Sequence, residues 1–225
     1  MTRFPARHEV PKFSVFASLL RMTTKYGFTD VRDQLIKDLR GAYPTKWEIY
    51  QATDILGENL FGSPKPHPNA VLNLFVAQNV RFAIPFAAYR ASLGGFFVLM
   101  RGESGALLSP HTLASTIYGM EKTRSLMTHA AHEIAYKKNL PGCPDSACVL
   151  NVRTKSVERR IEALTRLHDL MIAERQGGVL SAPPLGNLAC AKCADEIEAY
   201  HATWRSACWE LLPAAFSVAN CWGEV

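Results

Sequence analysis

The sequence predicts an all-α fold, an irregular array of about six to eight helices that a structural zinc ion would staple if its paired cysteines meet. Three observations point there. Apolar residues recur at i, i+3, i+4 and i+7 along most of the chain. No stretch of useful length alternates apolar and polar residues as a half-buried strand would. Helix-starting and helix-stopping residues fall at the ends of the periodic segments.

Residues 1–12 hold two prolines and little apolar patterning, and read as a flexible tail. From Phe13 the pattern turns helical, with Phe16, Leu19, Leu20 and Thr23 on one stripe and Gly27 available to end it. Thr29 and Asp30 can start the next helix, with Val31, Leu35 and Leu39 on one face and Gly41 closing it. Pro44-Thr45 stops this pair and opens a segment holding Trp47, Ile49, Tyr50 and Ile55. Gly62 to Pro68 reads as a linker, because so many breakers cannot continue a helix. Beyond it Val71, Leu72, Phe75, Val76 and Asn79 give another stripe, and Pro85 starts a short helix through Phe86 and Tyr89. Gly94-Gly95 and Gly102 to Gly105 read as flexible connections.

Ser109 at the N-cap and Pro110 at the first helical position begin the longest predicted helix, with Leu113, Ile117, Met120, Met127, Ala131 and Ile134 as its stripe. Val157, Ile161, Leu164, His168 and Met171 predict a second long helix, ended by Gly177-Gly178. The last begins near Cys193 and runs through Ile197, Tyr200, Trp204, Cys208 and Leu211 to Pro213. The organisation expected is a tail over 1–12, a helical region over 13–105, and a second over 106–225 that holds the paired cysteines.

The chain has 225 residues, 48 % apolar and 20 % charged, which places it among globular proteins rather than disordered ones. Its net charge is 25 − 20 = +5, but the basic residues are scattered, the densest being the pairs Lys137-Lys138 and Arg159-Arg160. A nucleic-acid binder concentrates such charge on one stripe, so nucleic acid is not the expected partner. The apolar runs Phe82–Tyr89 and Leu93–Met100 are too short to span a bilayer, and the first residues lack a leader-like apolar core. An intracellular protein, cytoplasmic or nuclear and without a membrane partner, is the expectation.

In a reducing compartment, paired cysteine spacings point to metal more than to disulfides. Cys190-Ala191-Lys192-Cys193 has the two-residue gap that lets both thiolates reach one tetrahedral ion, and Cys143 and Cys148 can supply a second pair from a Pro/Gly-rich turn. Zinc on Cys143, Cys148, Cys190 and Cys193 is thus one reading. A redox CxxC is another, disfavoured without a βαβ setting, and plain buried cysteines are a third. Cys208 falls on an apolar stripe and belongs to the core. His129 and His132 lie i and i+3 on a helix, not at the HExxH spacing of zinc proteases, and read first as a solvated face and second as reserve ligands. The sequence has no GxSxG elbow, no phosphate-cradling glycine loop and no GxGxxG after a strand, so an enzyme is not expected.

The string Leu19-Leu20-Arg21-Met22-Thr23-Thr24-Lys25-Tyr26-Gly27-Phe28, with Val31-Arg32 and Tyr43-Pro44-Thr45, resembles the LRLxTKYxxxxLR…FPT segment that follows the BTB/POZ fold in proteins of mushroom-type fungi. Ile84-Pro85-Phe86-Ala87-Ala88-Tyr89-Arg90 is similar to that family's LLPAAFYR. The two cysteine-bearing segments, and Trp209-Glu210-Leu211-Leu212-Pro213-Ala214-Ala215-Phe216, resemble its later motifs in the same order.

The resemblance implies a post-BTB helical region over 13–105 and strengthens the zinc reading, because both cysteine pairs recur in it. It implies an intracellular protein-protein interaction scaffold or adaptor, acting in ubiquitin ligation or gene regulation, with another protein as partner. A zinc-containing nucleic-acid-binding regulator is the alternative. The BTB fold, with its strands and dimerising helix, is not among these residues, so dimerisation and docking to a cullin scaffold are not carried over and the oligomeric state stays open. On this view Phe13, Phe16 and Leu20 are expected to be exposed, having lost the domain that would cover them.

Overall fold

A computed structural model of the protein describes residues 12–52, 61, 65–102, 106–136 and 191–218. Among these residues the fold is all-α, with eight helices and no strand. They are α1 (Phe13–Tyr26), α2 (Thr29–Ala42), α3 (Trp47–Ala52), α4 (Pro68–Ala77), α5 (Ile84–Ser92), α6 (Gly95–Arg101), α7 (Pro110–Tyr136) and α8 (Ala191–Ala215), with a single 3-10 turn at Arg81–Ala83 before α5. The chain divides into two compact units. One takes the part up to Gly119 together with the part from Leu212, and the other runs from Met120 to Leu211. The helix predicted over Val157 to Met171 lies outside the described residues.

Punctuation residues fix the ends. Gly27 adopts the left-handed conformation (φ 69°) and its N–H donates to the Thr23 carbonyl, which stops α1. In α2, Gly41 lies inside the helix and the stop comes later, where the Tyr43 N–H donates to the Leu39 carbonyl. Pro68 ends the breaker run over residues 62–68 and also opens the next helix. It is the first residue of α4, where its missing N–H costs nothing, and His67 Nδ1 accepts from the Asn69 N–H at 3.2 Å as the cap. Ser109 caps α7 as predicted, accepting from the Thr112 N–H at 3.2 Å.

The first unit is organised around α4 and α5. Every residue of α5 from Pro85 to Ser92 is buried except Arg90. Phe86 meets Tyr50 and Tyr43 edge-on, with centroids at 5.5 and 5.9 Å, and Tyr43 in turn meets Phe75 at 4.9 Å. Such pairs add about 0.5–1.5 kcal/mol each beyond simple burial. Burial drives the Tyr43 phenol well above its usual range, partly opposed by the Arg90 guanidinium. Arg32 reaches the Gln78 carbonyl at 3.4 Å and Arg40 lies over the Phe82 ring at 4.9 Å, so α2 is tied to the segment between α4 and α5. Asn69 is fully buried with neither side-chain amide atom hydrogen-bonded in the protein, a local cost of about 1–3 kcal/mol.

Three packing details depart from the sequence reading. Phe16 and Leu20 are buried, and Phe13 is half-buried with its ring 5.0 Å from that of Phe61, so these residues pack within the chain. On α7 the buried positions, among those whose burial is described, are Thr112, Thr116, Gly119, Met120 and Thr123; of the predicted stripe Met120 is buried, while Leu113 and Ile117 are half-buried. Thr116 donates to the Thr112 carbonyl and Thr123 to the Met120 carbonyl, which removes the cost of burying a hydroxyl. On α8 the buried row is Arg205, Cys208, Trp209 and Leu212, and Leu211 is exposed. Pro213 lies inside α8 rather than ending it.

Candidate functional site

Among the described residues the most exposed large apolar side chain, Phe97, stands on α6. Gly94 and Gly95 follow Leu93, and Gly95 has φ 76°, a conformation that favours glycine. The chain therefore turns, and the axis of Gly95–Arg101 lies 111° from that of Arg81–Ser92. Within α6 only Gly95 and Leu99 are buried. Phe96 and Met100 are i and i+4 neighbours on one face, with Phe97 beside them and 75 % exposed. The rings of Phe96 and Phe97 meet edge-on at 6.0 Å.

Gly102 then ends α6 in the left-handed region (φ 57°), with its N–H on the Val98 carbonyl. Its bare Cα lets Leu107 fold against it, since a Cβ there would come within 2.8 Å of the Leu107 side chain. The Asn73 amide donates to the Leu107 carbonyl at 2.8 Å, tying this return to α4. Leu107 is itself 61 % exposed, so it extends the apolar face at the end of α6. Phe and Met are enriched at protein interfaces, and contiguous apolar surface of this kind marks interaction sites. From Asn59 to Gly102 the sequence contains Lys65, Arg81, Arg90 and Arg101 and no acidic residue.

A shallow cleft of about 170 Å³ also opens in this unit, between Val76, Ile84 and Ala88 on one side and His111, Ser115 and Thr116 on the other. Its hydroxyls are largely committed. Thr112 pairs with Ser109 at 2.8 Å, and Thr116 donates to the backbone.

Cys143, Cys148 and Cys190 lie outside the described residues, and Cys193 is placed only as a member of the first turn of α8. Among the described residues no three His, Cys, Asp or Glu side chains gather where a metal could sit. Cys208 is fully buried and its thiol is pushed up to about 11 by that burial, so it stays protonated at neutral pH and behaves as an apolar core group. His129 is exposed and packs edge-on against Trp204 at 5.9 Å within the second unit. Trp209 is fully buried. No single helix among the described residues is long and apolar enough to cross a membrane.

The α6 face departs from the sequence expectation, in which Gly94-Gly95 is a flexible connection. The signal was present in Phe96 to Met100, five consecutive apolar residues between glycines, too few to show a helical period. The chain matches no protein-family model, no curated protein and no solved structure.

Proposed function

We propose that the chain is a non-enzymatic protein-interaction scaffold or adaptor of the BTB/POZ-protein type, serving ubiquitin ligation or gene regulation. The observation that supports this reading is the α6 face, where Phe96, Phe97 and Met100 are exposed on a helix pinned at both ends by glycine. Burying an aromatic side chain contributes roughly 1.5–3 kcal/mol, and two phenylalanines with a methionine form a hot-spot-sized cluster. Zinc held by Cys143, Cys148, Cys190 and Cys193 belongs to the same proposal as a structural staple. Metal analysis of purified protein is expected to give one zinc per chain, and none after Cys190→Ser with Cys193→Ser.

The interaction reading is tested by placing a photo-crosslinking phenylalanine analogue at position 97 of the full chain in cells. A discrete adduct is expected at 97, lost when Phe96→Ser and Met100→Ser are added. Absence of any adduct, or an adduct indifferent to those substitutions, would remove α6 as the partner site.

A further inference from the structure

The first helix has two apolar stripes, and among the described residues one is buried and the other largely exposed. Phe16, Leu20 and Thr23 face the core. Val15, Leu19, Met22 and Tyr26 stand at i, i+4, i+7 and i+11, which at about 100° per residue confines them to an arc of roughly 60° away from the core stripe. Val15, Met22 and Tyr26 are each more than half exposed and Leu19 is half-buried. Phe28, also exposed, continues the stripe past Gly27, its ring 6.2 Å from that of Tyr26. Four-three-four spacing of apolar residues is the seam of a coiled coil, where each side chain inserts between residues of a facing helix.

Beside the seam runs a second row at the same spacing. Ser14, Ser18, Arg21 and Lys25 are all exposed. Small serines at the start of the row allow a close approach, and the cations at its end set the sign of what can lie there. The Lys25 ammonium sits 5.3 Å from the centre of the Tyr26 ring, at the edge of the seam. From Lys12 to Thr29 the sequence holds three cations and no carboxylate. A helix lying in the seam would therefore meet Arg21 and Lys25 with nothing on α1 to neutralise them, and charge complementarity requires that it bring acids. A second copy of α1 brings none.

We infer that the Val15–Leu19–Met22–Tyr26 seam docks an amphipathic helix of another protein whose apolar stripe is flanked by Asp or Glu on the side facing Arg21 and Lys25. This surface is on α1, whereas the interaction face argued above is on α6. Failure of crosslinking at Phe97 leaves the seam standing, and the reverse also holds.

The test uses the full chain and three fluorescent synthetic heptad peptides. One has Leu at the seam positions and Glu at the flanking positions, the second replaces each Glu by Lys, and the third replaces each Leu of the first by Ser. By anisotropy the Glu peptide should bind at least tenfold tighter than the Lys peptide, and the Ser peptide should not bind. Met22→Ser with Tyr26→Ser should weaken the Glu peptide at least tenfold. Arg21→Glu with Lys25→Glu should reverse the preference between the Glu and Lys peptides. All four residues are exposed, so the helix should survive, and the charge reversal reads the proposal even if the seam variant unfolds. Equal binding of the Glu and Lys peptides, binding indifferent to the seam variant, or no binding at all overturns the proposal. So does self-association of the unmodified chain that Met22→Ser with Tyr26→Ser abolishes, because the occupant would then be a second copy.

Discussion

α5 and α6 are consecutive in the chain, separated by Leu93 and Gly94, and both are dominated by apolar residues. α5 hides Phe86, Ala87, Ala88, Tyr89 and Ala91 completely, whereas α6 leaves Phe96, Phe97 and Met100 in solvent. Apolar content does not separate them, since α6 is the more apolar stretch. Placement does. α5 lies against α4 and the Tyr43–Tyr50 aromatic cluster, and the glycine-permitted turn at Gly95 swings α6 away from its axis by 111°. An apolar helix that its own chain does not cover is surface available to another molecule.

The comparison is tested most strongly at Phe86. Phe86→Ala removes a ring buried to 1 % exposure and in contact with three tyrosines, and should destabilise the protein by about 3–5 kcal/mol in denaturant unfolding. A loss near zero would mean that α5 is no more a core helix than α6.

The next largest effect is electrostatic, and it comes from Tyr43, packed against Phe86 of α5, and from Cys208 within α8. The folded-state pKa of Tyr43 is raised by burial above its ordinary value of 10, and that of Cys208 to about 11 from 9. Both groups are neutral when protonated, so above the unfolded pKa the unfolded chain has released the proton and the folded chain still holds it. The stabilising contribution is full below about pH 9 and is lost as pH rises, at up to about 1.4 kcal/mol per pH unit for each group in its window. Urea midpoints should therefore fall between pH 9 and pH 11, and less steeply above pH 10 in Tyr43→Phe. A midpoint that is flat over this range would show that neither group is desolvated.

These two regions also show what the sequence could reveal. Where stop or start residues mark a stripe longer than two turns, the element is legible, with Gly27 for α1 and Ser109-Pro110 for α7, and Pro85 alone marks the start of the shorter α5. Register was less legible. The buried row of α7 runs through Thr112, Thr116 and Thr123, residues that pattern reading treats as polar, because their hydroxyls bond to the preceding turn and present a methyl to the core. α6, seven residues between glycines, is too short for periodicity to register. The exposed faces were hidden for a different reason. Val15, Met22 and Phe97 look like core residues in sequence, and only the placement of neighbouring helices tells which stripe of α1 is covered. The cysteine pairs rest on spacing and resemblance, and three of the four cysteines lie outside the described residues.

The turn between the two helices gives a smaller effect. Gly95 holds φ 76°, where an L side chain costs about 1–2 kcal/mol, so Gly95→Ala should lower stability by roughly that amount. Gly41→Ala is the control, since Gly41 lies within α2, a Cβ there meets open space, and alanine is the better helix former. It should leave stability unchanged or raise it by up to about 1 kcal/mol. If both substitutions stabilise, α6 does not depend on the left-handed turn.

The smallest effect on stability is the most telling for function. Phe97 is 75 % exposed, so Phe97→Ser removes little that folding buries, and surface changes of this kind stay within about 0.5 kcal/mol. Phe86→Ala and Phe97→Ser each remove one phenylalanine ring from adjacent helices, and the ratio of their costs measures how differently the two helices are used. Phe97→Ser should keep the unfolding midpoint while raising the concentration at which the protein begins to associate, read by light scattering, because the apolar face that drives non-specific contact is smaller. Loss of more than about 2 kcal/mol on Phe97→Ser would place that ring in a core, and α6 would then be a buried helix like α5 rather than a docking face.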